Sequence, residues 1–405
     1  MILSLAWKNI WRNKKRSLII IVATALGLWG SLLSGAIWMG WGESMVDTAI
    51  SRDLAHIQIH KPGYAQNKEI INYIPDGFQI LKETQNLPGI AAVSGRTLVE
   101  GMAASPTSTF GVKIVGIVPA QAKTVTDIYK RLIEGEYFPD GGGRNPVVIG
   151  RKLADRLGLK LHSKIVLSFQ DLDGSLNYAA GKIVGIYKTE SSLFDQSNVF
   201  MRQADLFRLL NTKPLIHEIA IRAESARIMP QVYAAVKANY PQLAVHSWKE
   251  LAPEVAYTSA AMEAFTYIFI GIILFALLFG ITNTMLMAVI ERFRELGVLI
   301  AVGMKKGRVF TMILLETILL SITGGVAGIV IGAISIVYLA HAGIDLTALA
   351  SGMETFGAST VLRPFLPLDM YIALPIMIVI TASLSAVLPA WKVIHIQPSE
   401  AIRTY

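Results

Sequence analysis

The sequence predicts a membrane α-helical bundle of four transmembrane helices, with a mixed α+β extracytoplasmic domain inserted after the first helix. Of the 405 residues, 53% are hydrophobic and only 16% are charged, which is more apolar than a typical soluble protein. Four strongly apolar runs are long enough to cross a hydrocarbon core of about 30 Å. Between the first two runs, short alternating segments broken by glycine and proline indicate β-strands.

Charge and cysteine content exclude several classes of function. The formal net charge is +8, but Lys and Arg gather beside the apolar runs and do not form one basic face, so we expect no nucleic-acid partner. The chain has no cysteine, which excludes disulfides, thiolate nucleophiles and cysteine metal sites. The lipid bilayer is the environment that this composition suits.

Residues 1–16 are predicted to form a cytoplasmic interfacial helix, and residues 17–42 the first transmembrane helix. Cations without an acidic residue among them precede the apolar run, a bias that keeps the start of a segment in the cytoplasm. Apolar side chains lie among these cations, as in a helix at the headgroup level. A cleaved signal peptide is the alternative, but the run exceeds the roughly 7–15 apolar residues of such peptides.

Residues 43–258 are predicted to form the extracytoplasmic domain. Strands are expected at residues 56–60, 110–117, 146–149, 164–169, 181–187, 198–201 and 217–222. Helices are expected near residues 77–83, 151–157, 204–210 and 225–239. Asp173-Gly174 is typical of a hairpin turn between two strands.

No catalytic or metal-binding motif stands out in this domain. His56 and His60 have a spacing that can bind zinc on a helix, but the alternating Ile57 and Ile59 favour a strand. The glycines at 141–143 lack the Gly-Lys-Ser/Thr of a P-loop and are read as a loop. No serine lies in a Gly-x-Ser-x-Gly turn. We therefore expect no catalytic residue, no metal site and no cofactor.

The second half of the chain predicts three more crossings. The boundaries are transmembrane helices at 264–290, 309–340 and 370–390, a cytoplasmic coupling segment at 291–308, an outer loop at 341–369 and a cytoplasmic tail at 391–405. Lys and Arg cluster in the coupling segment and the tail, whereas Arg363 is the only such residue of the outer loop. The bias predicts a multi-pass membrane protein with both termini in the cytoplasm.

Small and polar residues within the spans predict helix contacts. Gly324, Gly325, Gly328 and Gly332 in the third span permit close approach of a partner helix. Asn283 in the second span is expected to form hydrogen bonds between helices. Glu316 in the third span is costly unless it faces protein, water or the interface. A hydrogen-bonding role is favoured over a proton relay, because no second intramembrane acid or histidine accompanies it.

The coupling segment has its charges early and its apolar residues late, which predicts a short amphipathic helix along the membrane face. Such a helix would present Glu291, Arg292, Arg294 and Glu295 to a partner. A solvated charged turn between two spans would have a similar composition, so the pattern alone leaves both interpretations open.

The segment resembles the coupling region of ABC transporter permeases of the MacB, FtsX and LolC/LolE superfamily. That region reads Glu-Arg-x-x-Glu-hydrophobic-Gly and then Ala-x-Gly, and the matching residues are Glu291, Arg292, Glu295, Leu296, Gly297, Ala301 and Gly303. Residues 314–328 are similar to the family's third span, residues 389–403 to its closing signature and residues 6–16 to its opening helix.

The resemblance implies a permease of a bacterial cytoplasmic (inner) membrane that is not itself an enzyme. It implies that cytoplasmic ABC ATPase subunits dock on Glu291, Arg292, Arg294, Glu295, Gly297, Ala301 and Gly303, and that a second permease copy or a paralogue pairs with the chain. Nucleotide-driven closure would then move the outer domain by mechanotransmission. No Walker sequence is present, so ATP hydrolysis is expected from a separate polypeptide.

Lipoprotein extraction and release is the leading function, because the length and Val115-Gly116-Ile117 look nearest to the LolC/LolE branch. The hairpin at Asp173-Gly174 lacks the proline-rich extension by which one Lol permease recruits its carrier, so a carrier or adaptor stays an open possibility. The alternatives are MacB-like export of drugs or peptides and FtsX-like signalling to a cell-wall hydrolase. A membrane-anchored enzyme fits less well, since four spans exceed what an anchor needs.

Overall fold

The computed structural model describes Trp7, Ile10, Arg12 and residues 14–139, 144–349, 352 and 359–394. The chain divides into two compact units. The helical unit comprises Met1–Glu43, Ser259–Asp345 and Val361–Tyr405, and the inserted unit comprises Ser44–Thr258 and Leu346–Thr360. The glycines at 141–143, most of the predicted interfacial helix and nearly all of the predicted tail lie outside the described residues.

The helices are α1 (Lys14–Ala49), α2 (Gly77–Gln85), α3 (Pro119–Val125), α4 (Arg151–Leu157), α5 (Ser192–Ser197), α6 (Gln203–Leu209), α7 (Met229–Asn239), α8 (Trp248–Leu251), α9 (Pro253–Glu291), α10 (Phe293–Ala301), α11 (Lys306–Ala342) and α12 (Met370–Ile394). A π-helical turn, Ile50–Leu54, follows α1, and 3₁₀ turns lie at Ile128–Arg131 and Thr347–Leu349.

The strands are β1 (Ile57–His60), β2 (Ile90–Ala104), β3 (Thr109–Ile117), β4 (Leu132–Gly135), β5 (Pro146–Gly150), β6 (Lys164–Gln170), β7 (Leu176–Tyr187), β8 (Asn198–Arg202), β9 (Glu218–Ala223), β10 (Ala244–Ser247), β11 (Ile344–Asp345) and β12 (Val361–Leu362).

Within the described residues, α1, α9, α11 and α12 are the four helices that are long and apolar enough to cross a membrane. They have large exposed apolar side chains, among them Leu26, Phe275 and Leu384, which suits contact with lipid. One buried apolar cluster of the helical unit contains Ile10, Leu296 and Val309, and a second contains Leu28, Ile270 and Leu374. The four spans are thus packed against each other by two layers of core.

The inserted unit is built on a ten-stranded mixed sheet in which β2 serves two halves. Ile90–Arg96 pairs with β9, whereas Arg96–Ala104 pairs with β3. The first half, β10-β1-β9-β2, has an apolar core with side chains from α2, α7 and α8. Because β6 pairs with both β2 and β7, the strands β2-β3-β8-β5-β7-β6 close into a six-stranded ring. All six strands contribute to one buried cluster.

The predicted fold class, four membrane helices with an inserted α+β domain, is confirmed. The seven predicted strands and the hairpin at Asp173-Gly174 are present, whereas β2, β4, β10, β11 and β12 were not predicted. The helix expected at residues 225–239 begins only at Met229. Pro230 occupies its first turn, where a missing N–H is tolerated, and so marks the true start.

Candidate coupling site

The helix α10 lies between the membrane helices α9 and α11 and is separated from α9 by a single residue. Arg292 has φ −101° and ψ 14°, which breaks the helical path after Glu291. Leu296 is 2% exposed and anchors α10 in the cluster that contains Val309 and Met312 of α11. The opposite surface of this region is exposed at Glu291, Arg294, Glu295, Val298, Ala301, Val302 and Gly303.

Gly303 ends α10 for a conformational reason. Its φ of +105° is a backbone conformation that L side chains rarely adopt. The Gly303 N–H donates to the Ile300 carbonyl and the Met304 N–H to the Leu299 carbonyl, both at 3.0 Å. This is a Schellman motif, which satisfies carbonyls at the helix end. The glycine at this point of the Ala-x-Gly pattern therefore sets the length of α10.

Arg292 points into the bundle and contacts Glu316 of α11. Its Nη1 lies 3.3 Å from Glu316 Oε2 and 3.5 Å from Oε1. The two side chains are 14% and 2% exposed, so the pair is largely withdrawn from solvent. It lines a cavity of about 10 Å³ with Met285, Met312 and Ile313, which is room for about one water. The surroundings are therefore of low dielectric, where separating the two charges is costly.

A second pair of contacts continues this network to the surface. Glu295 accepts from the Arg12 guanidinium, and its Oε2 also lies 3.3 Å from Arg292 Nε. The hydrogen bond from Arg12, with a smaller effect of Arg292, holds the pKa of the Glu295 carboxyl below its usual range. Arg12 and Glu295 are about half exposed, so the chain Arg12–Glu295–Arg292–Glu316 runs from solvent into the bundle.

The predicted coupling residues therefore fall into two groups. Glu291, Arg294, Glu295, Ala301 and Gly303 lie on the exposed surface of the region, as a docking helix requires. Gly297 is buried, and Arg292 is turned towards Glu316 instead of outward. The sequence pattern placed Arg292 with the outward charges and did not indicate its partner, which lies 24 residues further along the chain.

Glycines of α11 allow it to lie directly against α1. A Cβ on Gly324 would be 2.6 Å from the Ile21 carbonyl oxygen, and one on Gly328 would be 2.8 Å from the Ala25 carbonyl oxygen. Only glycine fits at such distances. Gly332 adds a third contact, since its Cβ would lie 2.7 Å from a methyl group of Leu32. We call Gly324, Gly328 and Gly332 the glycine seam.

Gly325 is not part of the glycine seam. A Cβ on Gly325 would meet no heavy atom within 4 Å. On a helix with 3.6 residues per turn, Gly325 points about 100° away from Gly324. Of the predicted packing glycines, Gly324, Gly328 and Gly332 thus lie against α1, and a packing role for Gly325 stays a prediction.

The polar residues of α9 differ in their partners. The hydroxyl of Thr282 donates to the Leu278 carbonyl and lies 3.2 Å from the Ser385 carbonyl of α12, which links the two spans. Thr284 donates to the Gly280 carbonyl of its own helix at 2.8 Å. Asn283 is exposed beside Gly280 on the outer surface of the helical unit. The link between helices is therefore made one residue before the predicted position.

The inserted unit contains a buried polar cluster that sequence reasoning missed. Arg96 Nη1 lies 2.5 Å from Glu218 Oε1 and 3.6 Å from Asp53 Oδ1. His217, fully buried beside it, accepts at Nδ1 from the Leu98 N–H at 3.1 Å, and its Nε2 is 2.9 Å from the Ile70 carbonyl oxygen. Burial lowers the pKa of His217 to about 4, so the ring is neutral at physiological pH.

His60 of β1 and His56, which precedes that strand, also have protein partners. His56 accepts at Nδ1 from the Ala223 N–H at 3.1 Å, and His60 Nε2 lies 3.0 Å from Gln58 Oε1. In the part of the chain that the structure describes, no group of three or more His, Cys, Asp or Glu side chains is arranged to hold a metal ion. Both histidines thus have hydrogen-bonding partners within the inserted unit.

Family comparisons agree with both units. Residues 17–239, more than half of the chain, match the MacB-like periplasmic core domain. Residues 267–398 match the FtsX-like permease C-terminal family, and this match includes α10, Glu316 and the glycine seam.

The individual relatives have low sequence identity to this chain, but the matches cover most of its length. The uncharacterized ABC transporter permease YknZ of Bacillus subtilis (strain 168) is 22% identical over 421 residues, 98% of each chain. The pyoverdine export ATP-binding/permease protein PvdT of Pseudomonas fluorescens (strain Pf0-1) is 24% identical over 383 residues. That match covers 89% of this chain, and the chain spans only 56% of the length of that relative.

A third relative belongs to a lipoprotein-releasing system. The transmembrane protein LolC of Neisseria meningitidis serogroup B (strain ATCC BAA-335 / MC58) is 20% identical over 338 residues, 79% of each chain. Because these relatives and both family matches span the helical and inserted units in the same order, the chain belongs to the MacB, FtsX and LolC/LolE superfamily of ABC transporter permeases.

Proposed function

We propose that this chain is the permease subunit of an ABC transporter and that a separate ATPase subunit docks on the exposed surface of α10. The observation that carries the proposal is the construction of α10. It is a short helix between two membrane helices, anchored by Leu296 and ended by Gly303, and it presents Arg294 and Glu295 on its exposed surface, beside Glu291 at the end of α9. A rigid, charged helix of this kind can receive a push from a partner and pass it to the bundle.

We place the α10 region in the cytoplasm of a bacterial inner membrane, with both chain termini on the same side. Support comes from Arg292, Arg294, Lys305, Lys306 and Arg308, which flank the turn between α9 and α11. Residues 43–258 are then extracytoplasmic. Four crossings make this arrangement consistent with the inserted unit following α1.

A second permease, identical or paralogous, is part of the proposal. The polar side chain of Asn283 is exposed on α9, and an amide is costly in contact with hydrocarbon. Pairing of two permeases along this helix would give the amide a polar partner.

For the substrate, we propose a lipoprotein that is extracted from the membrane and released. The match to LolC over 79% of both chains supports this function. Export of a small molecule or peptide is the second candidate. It is favoured by the match to PvdT over 89% of this chain and by the short connection of residues 171–175 between β6 and β7, which offers little surface for a carrier.

Charge reversal at Glu295 tests the docking proposal. We expect Glu295→Lys to lower the ATPase activity of the purified complex by about tenfold, because it sets a third cation beside Arg12 and Arg292 and alters the docking surface. Glu263→Lys is the matched control, since Glu263 is an exposed carboxylate near the other end of α9. Unchanged ATPase activity and unchanged subunit assembly in Glu295→Lys would refute docking at α10.

Photo-crosslinking distinguishes the substrates. A photoreactive residue at Phe275 of α9, which is 65% exposed, would be activated in native membranes and the adducts identified by mass spectrometry. An acylated polypeptide supports lipoprotein release, and a small molecule or unmodified peptide supports export. Phospholipid adducts alone would count against both substrates and would favour a signalling permease.

A further inference from the structure

The charged network at α10 ends on α11, not on α9. Arg292 is the only residue between α9 and α10, and its backbone is not helical. A single non-helical residue can serve as a hinge, because it absorbs a change of φ and ψ. The Arg292 side chain, in contrast, is held by Glu316, which is 2% exposed. The side chain of Arg292 therefore connects α10 to α11, in addition to the backbone connection between α10 and α9.

The glycine seam connects α11 to α1. Gly324 lies eight residues after Glu316, about 12 Å further along the helix. The seam brings the backbones of α11 and α1 into direct contact at Ile21 and Ala25, and the indole N–H of Trp29 donates to the Ser335 hydroxyl at 3.1 Å. Two helices in such contact cannot slide past one another without separating. A displacement of α11 is thus passed to α1.

We propose that Arg292 and Glu316 are positioning residues that form the joint through which ATP-driven movement of α10 reaches α11 and, across the glycine seam, α1. The inference rests on the proposed docking of an ATPase at α10. It adds a defined path, since α1 is the helix that continues through Ile50–Leu54 into β1 of the inserted unit. The movement of the inserted unit is driven from α1, while α9 is connected to α10 through the Arg292 backbone and through Met285 and Val289, which share a buried cluster with Leu296.

Low dielectric surroundings explain why an ion pair suits this position. Removing one partner of a buried pair strands the other charge, so the pair stays closed while the helices move as one body. An apolar contact in the same place would slide more readily, because dispersion attraction has no preferred direction. Glu295 holds the guanidinium from its other side, which keeps Arg292 Nη1 directed at Glu316.

The test uses single cysteine reporters in the complete complex of permease and ATPase, reconstituted in lipid nanodiscs. The chain has no native cysteine, so a spin label can be attached at one chosen position. Leu26 of α1 and Met287 of α9 are both 58% exposed and serve as separate reporters. Spectra are compared without nucleotide and after trapping with ADP and vanadate, in the parent and in Glu316→Gln.

In the parent we expect nucleotide trapping to change the spectra at both positions. In Glu316→Gln the change at Leu26 should fall at least fourfold, with the change at Met287 and the amount of bound ATPase unaltered. Thr317→Val is the matched control, because it removes a buried hydroxyl bonded only to its own helix at Ile313. Arg292→Lys, which keeps the charge, should retain at least half of the change at Leu26.

Three results would overturn the joint. The first is that the nucleotide-dependent spectral change at Leu26 is as large in Glu316→Gln as in the parent. The second is that Glu316→Gln loses the spectral change at both Leu26 and Met287 while the ATPase is still bound. The third is that Glu316→Gln no longer binds the ATPase although the parent does. Failure of the ATPase to bind the parent would instead refute docking at α10, and the joint with it. If Glu316→Gln does not fold, the double variant Arg292→Gln, Glu316→Gln removes both charges of the pair and should show the same loss at Leu26.

Discussion

Acidification should weaken the inserted unit at His217. The imidazole accepts the Leu98 N–H at Nδ1 and contacts the Ile70 carbonyl through Nε2, which therefore carries the hydrogen. A second proton could be placed only on Nδ1, where it would face the Leu98 N–H. Protonation thus breaks a hydrogen bond and puts a charge in a fully buried site.

The sign and the size of the effect follow from the pKa. Burial lowers the pKa of His217 to about 4, below the usual value of about 6.5 in the unfolded chain. The folded state binds fewer protons, so this contribution to stability is complete above about pH 6.5 and is lost as the pH falls towards 4. Linkage gives a loss of about 2 kcal/mol at pH 5, or roughly 30-fold in the opening equilibrium.

Hydrogen–deuterium exchange of the Leu98 amide measures this effect in the full chain in nanodiscs. We expect its protection factor, corrected for intrinsic exchange, to fall about 30-fold between pH 7.5 and pH 5. His217→Gln is the control, because an amide side chain can accept and donate at similar places but does not titrate in this range. A fall below threefold in the parent, or an equal fall in His217→Gln, would refute the reasoning.

Two glycine substitutions test the packing and the coupling helix. Gly328→Leu should lower the thermal unfolding midpoint by several degrees, because its Cβ would lie 2.8 Å from the Ala25 carbonyl oxygen and overpacking costs about 1–3 kcal/mol. Gly325→Ala is the control and should leave the midpoint unchanged, because a Cβ on Gly325 would meet no heavy atom within 4 Å. Gly303→Ala should reduce amide protection at the end of α10 by about fivefold, since an L residue at positive φ costs about 1 kcal/mol. Gly307→Ala, in open space and within α11, should show no such loss, and equal effects in both variants would contradict a special role of Gly303.

The membrane helices were predictable because a segment that crosses the bilayer must be apolar, and apolar composition can be read directly from the sequence. A run of apolar residues must be helical in hydrocarbon, whatever its neighbours are. The ends of the helices were less predictable. The apolar run at 264–290 lies within α9, which begins at Pro253, because a helix can continue into polar surroundings where hydropathy carries no signal.

The long strand β2 illustrates what strand patterns miss. Its sequence contains Gly95, Gly101 and several alanines, which are poor strand formers. A Cβ on Gly101 would lie 2.5 Å from the Ser168 carbonyl oxygen, so the glycine is there to let β6 approach. A glycine that would suggest a loop in the sequence thus marks the point where two paired strands, β2 and β6, lie close together.

The candidate site was predictable only in part. The charges of α10 and the need of Glu316 for a protein environment followed from composition and from the energetics of charge in membranes. The pairing of Glu316 with Arg292 did not, because it depends on how α10 folds back beside α11 after the break at Arg292. No local sequence pattern encodes the direction that α10 takes after this break.

Because the six-stranded ring is closed by hydrogen bonds on either side of the β6–β7 turn, the inserted unit should tolerate an insertion in that turn. The β6–β7 ladder ends at Gln170 and Leu176, so the intervening turn lies outside the hydrogen bonds that complete the ring. A peptide tag spliced between Asp173 and Gly174 would lengthen this turn without opening the ring. Antibody access to such a tag in spheroplasts, whose outer membrane has been opened, would then report which side of the inner membrane the turn occupies.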